Sequence, residues 1–304
     1  MSMLYLLAKG ATKLAGCTPS PLRHRLGKIA GIVCYWVWRS KRLITLRNMA
    51  QVTGKPVGAA QVASLAQASW ANYGRYAADF LAFPHQSLVD FAEHLIDLTA
   101  DGRATQWRDY FQLARQAGHG VIIATAHFGN WDMAGAFIAR HAPLSAVAET
   151  FSDRRLNTLV QGQREEKGIT IISMERSARR ILRVLQQNEI VALVVDRPVA
   201  PNEGVAVNFF GRTAYVPSGP AMLAIKSGAA LLPGYVWYGE KQRWYGRFFA
   251  PIFPHACTRQ EQAQEAQRLT QYIYDCLEVM VREWPTQWYM FRPFWPQQVE
   301  AGQR

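Results

Sequence analysis

The sequence predicts an α/β fold: a mainly parallel central sheet flanked by helices, preceded by a helical N-terminal segment. Short apolar runs rich in branched residues recur after residue 118, and stretches of roughly ten residues with helical spacing separate them. Such alternation marks parallel strands joined by crossover helices. It is absent from the first 100 residues, which keep helical spacing instead. The chain is long enough for a substantial core, with 304 residues of which 49% are hydrophobic, so a disordered or fibrous protein is excluded.

Element by element, AAQVASLAQASWANYGRYAADFLAF, from Ala59 to Phe83, reads as a helix stopped by Pro84. Trp107 to Gln116 is helix-like and leads through Gly118 and Gly120 into the buried strand GVIIATA. Helix-like Met133 to His141 precedes LSAVAE (144–149), and Arg154 to Lys167 precedes ITIIS (169–173). Ser177 to Asn188 precedes IVALVV (190–195), which runs into Asp196. Gly219 to Lys226 precedes AALLPGYVWY (229–238), WYGRFFAPI (244–252) reads as an edge strand, and 259–283 as a closing helix. No linker or repeat interrupts the pattern, which divides into a helical N-terminal segment, 1–100, and an α/β catalytic domain, 101–304.

Charge is concentrated in the first quarter. The net charge is +12, yet residues 1–78 carry eleven of the 34 Lys and Arg and no acid before Asp79, leaving 23 cations against 22 acids in the rest. Within that quarter, IAGIVCYWVW (29–38) is bracketed by Arg23, Arg25 and Lys28 on one side and Arg39, Lys41 and Arg42 on the other. Ten apolar residues are too few to span a bilayer, which takes about 20 in a helix. Basic flanks around a Trp-rich centre fit a segment lying on an anionic membrane surface, although a core helix with solvated ends fits as well. Nucleic acid is not expected, since no arrayed recognition motif accompanies the charge. The opening MSMLYLLAKG lacks the basic start of a secretory signal, and Cys17, Cys34, Cys257 and Cys276 have no metal or disulfide spacing, so a reduced cytoplasmic setting is expected.

Candidate chemistry lies at strand ends, where open α/β sheets form their sites. In ATAHFGNWDMAG (124–135), His127 follows a strand directly, and Asp132 lies in the first turn of the next helix, with Asn130 as its N-cap. A tight turn at Gly129 could let the carboxylate accept one imidazole N–H and leave the other nitrogen as a base; equally, a first-turn Asp is favoured by the helix dipole alone. Glu149 closes LSAVAE, Asp196 and Arg197 close IVALVV, and Arg164 lies on the helix between them, so acids from three strands could converge on one crevice. Each could instead cap a helix or sit on a solvated face. No G-x-S-x-G, H-E-x-x-H, P-loop or post-strand G-x-G-x-x-G is present, which removes most support for serine hydrolase, zinc peptidase and nucleotide-binding readings.

Taken together, these stretches carry a resemblance. HFGNWD resembles the H-x4-D/E motif of the bacterial acyltransferase family that includes the late acyltransferases of lipid A and the phosphatidylinositol mannoside acyltransferases. RLITLRNMAQV, SWANYGRYAADF, the block from DRPVAPNEG through FFG and PSGP to SGAALLP, and EWPTQWYMFRPFWP are similar to further family blocks in the same order, over about residues 35 to 296. GNWD and the WYMFRPFW ending lean toward the mannoside branch.

The resemblance implies an O-acyltransferase with His127 as general base and Asp132 as its partner, acting as the catalytic pair. Glu149, Arg164, Asp196 and Arg197 would bind substrate, although Arg197 departs from the polar residue usual after the acid in the lipid A enzymes. Backbone N–H groups at Gly129 to Trp131 are candidate oxyanion donors. The expected co-substrate is acyl-CoA or acyl carrier protein; no metal or other cofactor is expected. The acceptor would be a membrane glycolipid, met by a peripheral or monotopic protein on the anionic inner leaflet at the cytoplasmic face of the plasma membrane. A lipid A late acyltransferase is the alternative within this class, and a non-catalytic membrane-surface lipid-binding protein is the alternative outside it.

Overall fold

The computed structural model describes residues 3–174, 177–239 and 243–296, so the outermost residues of both expected domains lie outside it. Four helices come first: α1 (Met3–Cys17), α2 (Ser20–Val37), α3 (Arg39–Thr53) and α4 (Ala60–Leu81). Gly54, in the left-handed conformation at φ +65°, terminates α3. Helices α2 and α4 cross closely because glycines meet at the crossing: a Cβ on Gly31 would sit 2.1 Å from the Trp70 carbonyl oxygen, and one on Gly74 at 2.1 Å from that of Gly27. The opposite face of α2 stays bare. Leu22, Leu26, Ile29, Val33 and Trp36 recur there at helical spacing and are exposed, Trp36 by 60%. Among the described residues no helix is long and apolar enough to cross a membrane.

The remainder comprises α5 (Leu88–Glu93), β1 (Leu95–Asp97), α6 (Trp107–Gln116), β2 (Val121–Thr125), α7 (Trp131–Ala139), β3 (Leu144–Ala148), α8 (Arg154–Glu165) and β4 (Ile169–Ser173). Then follow α9 (Ser177–Gln186), β5 (Ile190–Val194), β6 (Val205–Phe209), β7 (Arg212–Val216), α10 (Gly219–Ser227), β8 (Ala230–Tyr238), β9 (Trp244–Phe248) and α11 (Gln262–Glu283). Seven strands form one sheet in the order β1-β9-β8-β2-β5-β3-β4. The five from β8 to β4 are mutually parallel, while β9 runs antiparallel to β8 and β1 parallel to β9. The predicted edge strand is therefore one place inside the edge. Three half-buried residues, Leu95 to Asp97, cover it, a run too short to register as a strand in the sequence.

A separate hairpin, β6–β7, turns at Phe210 and Gly211, whose φ angles of +52° and +72° suit a two-residue hairpin loop. One sheet face packs Ile181 and Leu185 of α9, Ala221 of α10, Leu277 of α11 and the hairpin; the other packs Phe91, Phe111 and Phe137 of α5, α6 and α7. A smaller core of Tyr35, Met49, Val62, Ala66 and Trp70 joins the N-terminal helices.

Those helices also grip the C-terminal segment after α11. Ser69 Oγ donates to the Trp288 carbonyl at 2.9 Å, and Asn48 Nδ2 donates to the carbonyls of Met290 and Arg292 at 2.8 and 2.9 Å. The segment is thereby laid across the carboxyl ends of the central strands.

Candidate active site

Strand β2 delivers His127 to the carboxyl edge of the sheet. The chain then turns at Gly129, φ +59°, where a Cβ would lie 2.1 Å from the Val236 carbonyl oxygen, so only glycine fits. Asn130 caps α7, its side-chain oxygen accepting the Met133 N–H at 3.0 Å.

Strand pairing sets the partner of the histidine. β2 and β5 run in register from Val121 opposite Ile190 to Thr125 opposite Val194, and Val195 N–H donates to the Thr125 carbonyl at 2.9 Å. Continued two residues further, that register sets His127 beside Asp196. Asp196 is fully buried, with Oδ1 2.7 Å from His127 Nδ1 and Oδ2 accepting the His127 backbone N–H at 3.1 Å and the Trp288 indole N–H at 3.0 Å. A carboxylate only accepts, so the network assigns the proton to Nδ1 and leaves Nε2 with its lone pair. Among the described residues Nε2 has no hydrogen-bond partner, and the imidazole is 23% exposed beside the edge of Trp131, ring centres 5.2 Å apart.

Asp132 is engaged elsewhere. Its Oδ1 accepts Arg164 Nε at 2.7 Å and its Oδ2 accepts the Tyr76 hydroxyl at 2.6 Å. The expected contact between Asp132 and the imidazole is thus corrected: Asp196 occupies that place, because adjacent strands carry it there, while the turn at Gly129 directs Asp132 toward α4 and α8. Burial opposes the charge on Arg164, but the Asp132 carboxylate raises its pKa above the ordinary guanidinium value. Burial first, and then the charge of Asp132, holds the Tyr76 phenol well above its usual range, so it remains a donor.

Glu149 and Arg197 form an ion pair with each other at the rim. Burial, followed by repulsion from Arg292, lowers the pKa of Arg197. The six predicted residues therefore fall into two groups: His127, Asp196, Arg197 and Glu149 along the ends of three adjacent strands, and Asp132 with Arg164 behind α7. Two of the expected oxyanion donors are already committed, since the N–H groups of Gly129 and Asn130 donate to Gln287 and Val236 carbonyls, each at 2.9 Å. Trp131, the first residue of α7, is left.

Sequence reasoning assigned no role to Trp288, Tyr76 or Asn48. Trp288 is fully buried, and Tyr289 N–H donates to the His127 carbonyl at 2.8 Å, so the C-terminal segment holds both members of the pair. The Pro-x-x-Trp string was the visible signal; its contact with a strand end some 90 residues earlier was not. An apolar cavity of about 60 Å³ lies under α7, lined by Ile123, Thr125, Trp131, Gly135, Ala192 and Phe248 among others, and Trp131 borders both it and His127. Among the described residues no three His, Cys, Asp or Glu side chains converge as metal ligands would.

A family model described as bacterial lipid A biosynthesis acyltransferase matches residues 2–297. The phosphatidylinositol mannoside acyltransferase of Mycolicibacterium smegmatis is 31% identical over 256 residues, covering 82% of this chain and 78% of the relative. That of Mycobacterium tuberculosis is 31% identical over 263 residues, covering 85% and 78%. The crystal structure of a 1-acyl-sn-glycerophosphate acyltransferase from Thermotoga maritima superposes only distantly, with a TM-score of 0.35 and 12% identity over 84% of this chain and 97% of that one.

Proposed function

Since the chain belongs to the bacterial lipid A biosynthesis acyltransferase family and is an acyltransferase, we propose that it moves a fatty acyl group from a thioester to a hydroxyl of a membrane glycolipid of the phosphatidylinositol mannoside kind. The observation that carries the mechanism is the Nε2 of His127, without a partner among the described residues, on an imidazole whose Nδ1 bonds the buried Asp196. Nε2 takes the proton of the acceptor hydroxyl as its oxygen attacks the thioester carbonyl. The imidazolium that forms is stabilised by Asp196 and returns the proton to the departing thiolate as the tetrahedral intermediate collapses. Trp131 borders the place of the reacting thioester beside His127, and its backbone N–H faces the developing oxyanion.

Glu149 and Arg197 bind the polar headgroup at the rim. Arg164 instead serves through Asp132, holding the first turn of α7 that follows His127. The bare face of α2, with Arg25, Arg39, Lys41 and Arg42 around it, rests on the anionic inner leaflet at the cytoplasmic face of the membrane and presents the crevice to lipid. The donor, CoA or carrier-protein thioester, arrives from the aqueous side as a co-substrate.

The test offers purified protein a radiolabelled acyl-CoA with vesicles containing either mannosylated phosphatidylinositol or a Kdo-bearing lipid A precursor. Label is expected in the mannoside. Label in the lipid A precursor alone would reassign the acceptor, and lipid binding without thioester cleavage would overturn catalysis.

A further inference from the structure

The turn that carries His127 has Asp196 on one flank and the C-terminal segment on the other. Gly129 N–H donates to the Gln287 carbonyl at 2.9 Å and Tyr289 N–H to the His127 carbonyl at 2.8 Å, so Phe128 and Trp288 face each other in an antiparallel bridge. Two hydrogen bonds hold the turn only as firmly as the segment behind them is held. Helices α3 and α4 hold Thr286, Trp288 and Met290, whose carbonyls accept from Asn72, Ser69 and Asn48. The alternate residues, Gln287 and Tyr289, bond each other instead.

Gln287 ties that segment to the sheet. It is buried, its Nε2 donating to the Tyr238 carbonyl at the end of β8 at 3.0 Å and its Oε1 accepting the Tyr289 hydroxyl at 3.3 Å. The partners fix which way the amide points: a carbonyl only accepts, and burial holds the Tyr289 phenol above its usual range, so that it donates. Strand β8 lies beside β2, and its Val236 carbonyl takes the Asn130 N–H at 2.9 Å. The bonds therefore close a loop, from Gly129 to Gln287, through its amide to Tyr238, along β8 to Val236 and back to Asn130. Trp131, the remaining oxyanion donor, follows directly in the chain.

We propose that Gln287 is a positioning residue for acyl transfer: its side-chain amide sets the turn from His127 to Trp131 so that the imidazole Nε2 meets the acceptor hydroxyl and the Trp131 N–H meets the oxyanion. The proposal rests on the His127 mechanism argued above. Being buried, Gln287 acts through the turn and not on either substrate. A neutral amide of this length serves a carbonyl and a phenol at once; methionine fills the same space and serves neither.

The test is Gln287→Met in the full-length protein, with folding checked by circular dichroism and rates taken per folded molecule. With acyl-CoA and the acceptor labelled in the assay above, kcat should fall by about 10- to 100-fold, as a displacement of about 1 Å predicts, while KM for both substrates stays within about twofold. Tyr289→Phe, which removes the hydroxyl alone, should cost kcat about threefold or less, and the double variant should be no worse than Gln287→Met, because the acceptor of that hydroxyl is already gone. Hydrogen exchange reads the turn without turnover: the amides of residues 128–131 should exchange faster in Gln287→Met, and those of residues 137–139 in α7 should not. Should Gln287→Met fail to fold, Gln287→Glu is the second variant. It keeps the size and the acceptor, sets a charge near Arg75, which reaches the same Tyr238 carbonyl, and should lower kcat by at least about fivefold through the lost donor. A folded variant with kcat within twofold of wild type, a loss carried by KM instead, or unchanged exchange in the turn would each overturn the proposal. Any of these beside an inactive His127→Ala would leave the mechanism standing without Gln287. Full activity in His127→Ala would overturn the mechanism, and the positioning role with it.

Discussion

Asp132 and Asp196 are both buried aspartates near His127, and they differ in what surrounds them. Asp132 is matched by a guanidinium and a phenol, so its charge is compensated internally. Among the described residues Asp196 is met only by N–H groups, two of them from His127 and one from Trp288, so its charge remains available to an imidazolium. A conspicuous spacing motif can thus divide its residues: the histidine stands at the crevice on one buried acid, while the motif's own acid bonds Arg164 and Tyr76 behind the helix.

The strongest test of that division is to remove each side. His127→Ala should cut kcat by about 10²- to 10⁴-fold with the melting temperature little changed, since a positioned base contributes on that order. Asp196→Asn should cost a similar factor by disturbing tautomer and charge, and the double variant should be hardly worse than either single one, because the two residues act as a unit. Additive losses would separate them.

Next in size is the bracing side. Asp132→Asn strands a largely buried guanidinium and should lower unfolding free energy by about 3–5 kcal/mol in denaturant titrations. Asp132→Leu combined with Arg164→Met should recover much of that, and activity should follow the folded fraction. A stable Asp132→Asn protein with no activity would instead return Asp132 to the chemistry.

Smaller effects refine the comparison. Trp288→Phe removes one donor to the Asp196 carboxylate and is expected to lower kcat by about tenfold or somewhat more, with KM for the acceptor nearly constant. Tyr76→Phe should cost only about 1 kcal/mol of stability and leave kcat within about twofold, because Asp132 retains Arg164.

Much of the fold was legible because local periodicity reports local structure. The runs read at 120–126, 169–173 and 190–195 hold strands at 121–125, 169–173 and 190–194, and Trp107 to Gln116 is the helix its spacing predicts. The hairpin at 205–216 was overlooked because Phe210 stands where such turns usually carry Asn or Asp. In the site, His127 and the acids at strand ends were found by position, but their pairing was not, since which strands lie side by side is decided by packing over the whole chain. Each of His127 and Asp196 stands six residues after the start of its strand, and that equality becomes informative only once β2 and β5 are neighbours.

The backbone on either side of His127 is fastened independently of its ring: its N–H goes to Asp196 and its carbonyl receives Tyr289 N–H. The side chain is therefore a detachable fitting on a mount that stays put. In His127→Ala the socket beside Asp196 should keep its shape, and free imidazole added to the buffer should slip in and restore a measurable part of the lost turnover, in proportion to its concentration.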